Sequence, residues 1–214
     1  MYNQFTLYKE NLNSINSDST IILCPSGCYL SSCDKTENFF LGAQDVSSSE
    51  SGVITGNISA KQLSSLNVKY CIVGHSDIGD NDEIVKNKIV NLLKNNITPI
   101  LCVSDSGKLS SLSKKKEDVL EKIGIVSSYV ASEDFEKIIL VYEPFWAVNN
   151  DIFLEVADIS FIINSIKDNY SSNKVLYGGG ININNISDIL GIKMIDGVLL
   201  GRFGNDVDNF KDLL

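Results

Sequence analysis

Short apolar runs alternate along the chain with longer stretches in which apolar residues recur every three or four positions. These are the signatures of buried strands and of amphipathic helices. The runs 20–24 (TIILC), 39–44 (FFLGAQ), 70–73 (YCIV), 98–103 (TPILCV), 138–142 (IILVY), 174–177 (KVLY) and 197–200 (GVLL) are expected strands. Helical spacing falls at 2–16, 60–66, 81–95, 154–170 and 184–190, in a polar stretch at 104–137, and in the last residues to Leu214. A short helical piece is expected near Cys28 to Cys33, and Ser59 suits the N-cap of the helix opening at Ala60. Between them, residues 45–58 form a long polar loop rich in Ser and Gly, a length that usually carries function or contacts a partner. Regular β-then-α alternation without a compositional break predicts an α/β protein, either a (β/α) barrel or an open doubly wound sheet. At this length it reads as one domain spanning residues 1–214.

Composition narrows the partners. A net charge of -9 and a pI near 4.6 argue against nucleic acid and against an anionic membrane surface. No run approaches membrane-spanning length and the opening residues carry no signal-peptide core, so the expected location is the cytoplasm. Five cysteines include no C-x-x-C pair. The spacing of Cys24, Cys28 and Cys33 fits no familiar zinc pattern, so free thiols are expected and no metal.

The candidate chemistry sits where strands end. The run 138–142 leads straight into Glu143, and Pro144 stops the strand there, leaving a carboxylate at the carboxyl end of a buried parallel strand. Its neighbours Phe145, Trp146 and Ala147 are apolar and would favour a usable base. The plain alternative is an exposed Glu before a proline loop. His75, the only histidine, follows strand 70–73 and Gly74 and precedes Ser76 and Asp77, which suit a helix N-terminus. The positive end of a helix would hold the imidazole neutral; the alternative is a structural strand-end histidine. A neutral imidazole and a carboxylate on one barrel face suit proton abstraction beside a carbonyl. The turn Gly178-Gly179-Gly180 and Gly201 could offer backbone N–H groups to a phosphate, although tight strand-to-helix turns need glycine in any case.

These residues together resemble the triosephosphate isomerase family, over nearly the whole chain. AQDV with SGVITGNISAKQL is similar to the family's loop that reaches into a partner subunit, with Thr55 at its tip. YCIVGHSD, VYEPFWAV, YGGG and DGVLLGR resemble the family's histidine strand, glutamate strand and two phosphate turns. The resemblance implies a (β/α)8 TIM barrel, a homodimer, a small phosphorylated triose substrate and no cofactor. Glu143 would move the proton and His75 would act as electrophile, supported by Ser76, Asp77 and Tyr177. Asn149, Gly180, Gly201 and Arg202 would bind substrate. The alternatives are a drifted, weakly active barrel isomerase with an altered phosphate site, and a non-catalytic phosphosugar-binding or scaffold barrel. Several positions depart from the family: Asp77 stands for glutamate, Asn149-Asn150-Asp151 for the lid's Gly-Thr-Gly, Gly180 for serine and Arg202 for glycine. Arg202 either supplies a cation or turns to solvent. The family's first strand, with its Asn-x-Lys, has no counterpart, and seven strands are counted where a barrel has eight. The expectation is therefore that about a dozen residues bearing that strand precede Met1 in the functional protein.

Overall fold

The computed structural model describes residues 2–33, 38–50, 55–147 and 153–211. Helix α1 (Tyr2–Asn13) comes first, then strand β1 (Ile22–Leu23), a 3-10 turn (Gly27–Ser32), β2 (Phe40–Ala43), α2 (Ala60–Ser65) and β3 (Tyr70–Val73). Next are α3 (Asp82–Lys94), β4 (Thr98–Val103), α4 (Leu112–Ser127), α5 (Ser132–Phe135) and β5 (Ile139–Tyr142). There follow α6 (Val156–Asn169), β6 (Val175–Tyr177), α7 (Ile186–Leu190), β7 (Gly197–Val198), a second 3-10 turn (Arg202–Asn205) and α8 (Val207–Lys211).

Each of the seven expected strands is found, several trimmed at their ends. The expected helices are found as well, and the structure sets their bounds, each for a local reason. The stretch 104–137 is two helices, because the hydroxyls of Ser127 and Ser128 bond back to the carbonyls of Gly124 and Ile125 and compete with continuation. The start of α4 is set by Ser111, whose side chain accepts the N–H of Lys114. Helix α7 opens later than its periodicity suggests, since Asn182 accepts from Asn184 N–H and Asn185 accepts from Asn182 N–H in a preceding turn. The final helix begins only at Val207, after the 3-10 turn, where the Asp206 side chain accepts the N–H of Asp208. Ser59 does cap α2, in a reciprocal box with Gln62.

By contacts the chain divides into two compact units. The first comprises Met1–Val73, Asn87–Pro99 and Arg202–Leu214. Here β1 pairs with β2 and β2 with β3, all parallel. Leu12 and Ile15 pack with Ile21, Phe39 and Val207, and Tyr8 and Leu23 lie against this cluster. The Tyr8 hydroxyl donates to the Gly204 carbonyl (2.6 Å). The described part of loop 45–58 holds neither helix nor strand, yet it is tied down. On α3, Lys88 Nζ reaches Asp45 Oδ1 (2.7 Å), Asn91 donates to the Ser48 carbonyl (2.9 Å) and Lys94 reaches Glu50 (3.1 Å). These three residues share one helix face and meet successive parts of the loop. A cavity of about 420 Å³ lies at the amino ends of β1, β2 and β3, lined by Thr20, Asn38, Phe40 and Lys69 among others. Ligands in parallel α/β folds bind at the opposite, carboxyl ends.

The second unit comprises Gly74–Lys86 and Ile100–Gly201. Its strands pair in parallel in chain order, with Val103 opposite Tyr142, Tyr142 opposite Tyr177, and Tyr177 opposite Val198. Their carboxyl ends are thus level. β5 is buried at all four positions, as a central parallel strand requires. Ile159, Ile162, Ile163 and Ile166 of α6 and Val119 and Ile123 of α4 complete this core. Buried Asn173 donates to the carbonyls of Phe135 and Ile138 (2.7 and 2.9 Å), leaving neither unpaired at the entry to β5.

Candidate active site

Strand β3 stops at Gly74, whose φ is +73° and where a Cβ would lie 2.9 Å from the Cys102 carbonyl oxygen. Only glycine meets both conditions, and this turn delivers His75. The residues that follow are not a helix start. Ile78 N–H bonds the His75 carbonyl (3.0 Å) in a turn, and α3 begins only at Asp82. The helix-end field expected to act on His75 is therefore not what surrounds it. Instead, Asp77 N–H donates to His75 Nδ1 (3.1 Å), and Nε2 lies 3.0 Å from Glu143 Oε1. Glu143 continues the β5 ladder by one bond, its N–H donating to the Val103 carbonyl (2.8 Å), and its residue is 2% exposed. Its Oε2 accepts the N–H of Ser76 at 3.4 Å.

Two influences oppose each other at the imidazole. A ring nitrogen that accepts a backbone N–H must be unprotonated, so the bond from Asp77 selects the neutral tautomer with its proton on Nε2, pointed at Glu143. Against this, the hydrogen bond to Glu143 holds the His75 pKa above its ordinary value, with partial burial opposing and the charges of Glu143 and Asp77 assisting. The neutral imidazole is thus populated only as the pH rises past that elevated pKa. As the sole histidine, His75 gives one imidazole signal in an NMR titration. The expected midpoint is above 6.5 in the parent and lower in Glu143→Gln, because the substitution removes the carboxylate. Equal midpoints in the two proteins would break the link between these groups.

Behind this pair stands a network that the sequence reading missed. Asp105, 1% exposed, accepts from the Tyr142 hydroxyl (2.7 Å), Trp146 Nε1 (2.8 Å) and Gly107 N–H (2.8 Å). Ser104 Oγ accepts the N–H of Phe145 (2.8 Å), and Ala147 N–H closes a turn on the Pro144 carbonyl (2.8 Å). The segment after Glu143 is in this way anchored to the carboxyl end of β4. The sequence held only a weak signal: Ser104 separates Asp105 from the apolar run 98–103, whereas Glu143 follows its run directly. Asp105 was absorbed into the polar stretch that begins at 104. Burial and the Asp105 hydrogen bond keep the Tyr142 phenol well above its usual pKa, so it acts as a donor.

A family model described as triosephosphate isomerase matches residues 2–214. The triosephosphate isomerase of Mesomycoplasma hyopneumoniae (strain 232) is 34% identical over 214 residues, covering 97% of this chain and 87% of that protein. That of Ruthia magnifica subsp. Calyptogena magnifica is 33% identical over 210 residues, covering 91% and 85%. That of Buchnera aphidicola subsp. Cinara cedri (strain Cc) is 33% identical over 214 residues, covering 91% and 84%. The chain belongs to the triosephosphate isomerase family. Membership carries with it the α/β class and the TIM-barrel fold, and among the described residues seven of the strands are present.

The other positions singled out by resemblance to triosephosphate isomerase fall as follows. Gly178 N–H bonds the Tyr142 carbonyl (2.9 Å), bringing the glycine turn beside the Glu143 strand. At Gly179 a Cβ would sit 2.6 Å from the Tyr177 hydroxyl and 2.9 Å from Pro144, so no side chain fits between them. Gly180 has a φ of +34°. Gly201 is exposed, and a Cβ there would meet nothing within 4 Å, so its glycine answers to no packing demand. Arg202 is exposed in the 3-10 turn of the first unit, and Thr55 is exposed in the same unit's loop. Asn149, with Asn150 and Asp151, lies outside the described residues. All five cysteines are free thiols, and burial pushes that of Cys24 up to about 12. Among the described residues no group of three or more metal-binding side chains comes together, and no helix is long and apolar enough to cross a membrane.

Proposed function

We propose that this chain belongs to the single barrel domain of an enzyme that interconverts dihydroxyacetone phosphate and glyceraldehyde 3-phosphate, acting in glycolysis and gluconeogenesis in the cytoplasm. The observation that carries the reading is the contact between His75 Nε2 and the buried Glu143 carboxylate, with the opposite ring nitrogen occupied by a backbone N–H. Family membership supports it. In this reading Glu143 takes the proton from the carbon beside the substrate carbonyl, and His75 donates its Nε2 hydrogen bond to the oxygen where negative charge develops. Glu143 then returns the proton to the neighbouring carbon, while Nε2 of His75 gives its proton to the former carbonyl oxygen and takes one from the adjacent hydroxyl, so the pair ends as it began and no cofactor is consumed. For the Glu143 carboxylate to reach a substrate carbon it must leave His75, and the largest cause that raises the imidazole's pKa leaves with it, while the charge of Asp77 remains.

The phosphate falls to backbone N–H groups of Gly180 and Gly201, with Asn149 and Arg202 as polar partners, in a protein whose net charge of -9 gives an anion no general attraction. A homodimer through loop 45–58 is part of the proposal; the straps from Lys88, Asn91 and Lys94 support a loop held in shape for contact. Light scattering at the mass of two chains checks it, and an active monomer would refute it. The deciding experiment for the activity is a coupled turnover assay with either triose phosphate. Turnover well above the uncatalysed rate is expected of the functional protein; weak turnover would favour a drifted isomerase, and phosphosugar binding without turnover the scaffold alternative.

A further inference from the structure

Trp146 is the chain's only tryptophan and lies in the turn just beyond Glu143. Its indole N–H is taken by Asp105, which leaves the question of what holds its face. Lys115, in the first turn of α4, is 7% exposed, and its Nζ stands 4.6 Å from the centroid of the Trp146 ring. The same Nζ donates to the carbonyl of Lys108 (3.2 Å), in the loop between β4 and α4. A lysine is seldom buried to this degree without a dedicated partner. The two lysines flanking it on α4 are more exposed: Lys114 pairs with Asp118 at 2.6 Å, and Lys116 lies 5.8 Å over the Phe161 ring. The run Lys114-Lys115-Lys116, read from sequence as one solvated face, therefore hides a cation with a different task.

We propose that Lys115 is a positioning residue for the isomerase reaction: its ammonium, fixed by the Lys108 carbonyl, clamps the face of Trp146 and so holds the turn that follows Glu143. Asp105 grips the indole edge and Lys115 its face, while Ser104 holds the N–H of Phe145 between them. Three grips on the Pro144–Ala147 turn restrain the backbone that carries the proposed base. Lys115 touches neither His75 nor Glu143 through any contact described, so its effect on the reaction would pass through Trp146. A partly buried ammonium over an indole is a stabilising arrangement, and small misplacement of a reacting group is costly in rate. The inference rests on the isomerase reading only for its kinetic consequence; the clamp itself is observable by fluorescence.

The test compares the parent with Lys115→Met and Lys115→Arg, by emission and iodide quenching of the single indole and by kcat and KM. Methionine keeps the apolar stem and removes the charge; arginine keeps the charge and can stack. Lys115→Met is expected to shift the emission maximum, raise quenching and lower kcat by about 3- to 30-fold with KM nearly unchanged. Lys115→Arg is expected to restore most of both. Emission and quenching identical to the parent in Lys115→Met would overturn the clamp, whatever the activity does. Loss of activity that arginine fails to restore, with melting lowered equally in both variants, would also overturn it by showing a merely structural role. A parent without turnover refutes the isomerase reading instead, and the fluorescence comparison still decides the clamp.

Discussion

Glu143→Gln is expected to lower turnover by about 10²–10⁴-fold or more while leaving phosphosugar affinity nearly intact. The amide is isosteric with the carboxylate, so the strand-end bond to Val103 and the packing around a residue only 2% exposed survive the exchange. What is lost is the capacity to accept a proton. In the free variant the carbonyl oxygen of the new amide can still receive the Nε2 hydrogen of His75, so the imidazole stays in place and the deficit is chemical. Turnover is measured by a coupled assay, and affinity by calorimetry with a non-reacting phosphosugar. Full turnover in the variant would remove Glu143 from the mechanism. A parent and variant equally inactive would point to the scaffold alternative.

Asp105→Ala is expected to cost about 2–4 kcal/mol of stability, the largest effect anticipated for a single side chain outside the hydrophobic core. Three donors lose one acceptor in that change: the Tyr142 hydroxyl, the Trp146 indole N–H and the Gly107 N–H. Tyr142 is fully buried and has no water to turn to, whereas Trp146 and Gly107 are partly exposed and recover some of the loss. Asp105→Asn retains one acceptor oxygen and should cost roughly half as much. Urea unfolding followed by Trp146 emission measures both. A stability for Asp105→Ala within about 0.5 kcal/mol of the parent would mean that the network contributes little.

Much of the architecture was readable from residue pattern alone, because β5 and β4 are buried almost throughout and leave uninterrupted apolar runs. Where side chains competed with the backbone, the pattern misled. Ser127 and Ser128 end a helix that periodicity would have continued, and Asn182 and Asn185 delay another. At the candidate site, Glu143 and His75 stood out because one ends a hydrophobic run and the other is unique in the chain. Asp105 and Lys115 did not, since a buried charge inside a polar stretch looks like its solvated neighbours until a partner from elsewhere in the chain is seen. The field at His75 was likewise hidden. Its nearest partners are a carboxylate from a distant strand end and the backbone N–H of Asp77, and neither follows from a helix start that the chain places at Asp82.

The three ties between α3 and the loop that begins at Asp45 make the helix a ruler for the loop. Lys88, Asn91 and Lys94 are set by the helical repeat, so the spacing of Asp45, Ser48 and Glu50 must match it. The loop is thus free to drift in composition but not in length between Asp45 and Glu50. One residue inserted between Asp45 and Ser48 would put every later rung out of step. The rungs are also unequal: Lys94 and Glu50 meet in solvent, while Lys88 is 4% exposed and holds its carboxylate where losing it costs far more. Lineages that change Asp45 should therefore change Lys88 with it, and a designer seeking a site for a peptide graft should look beyond Glu50.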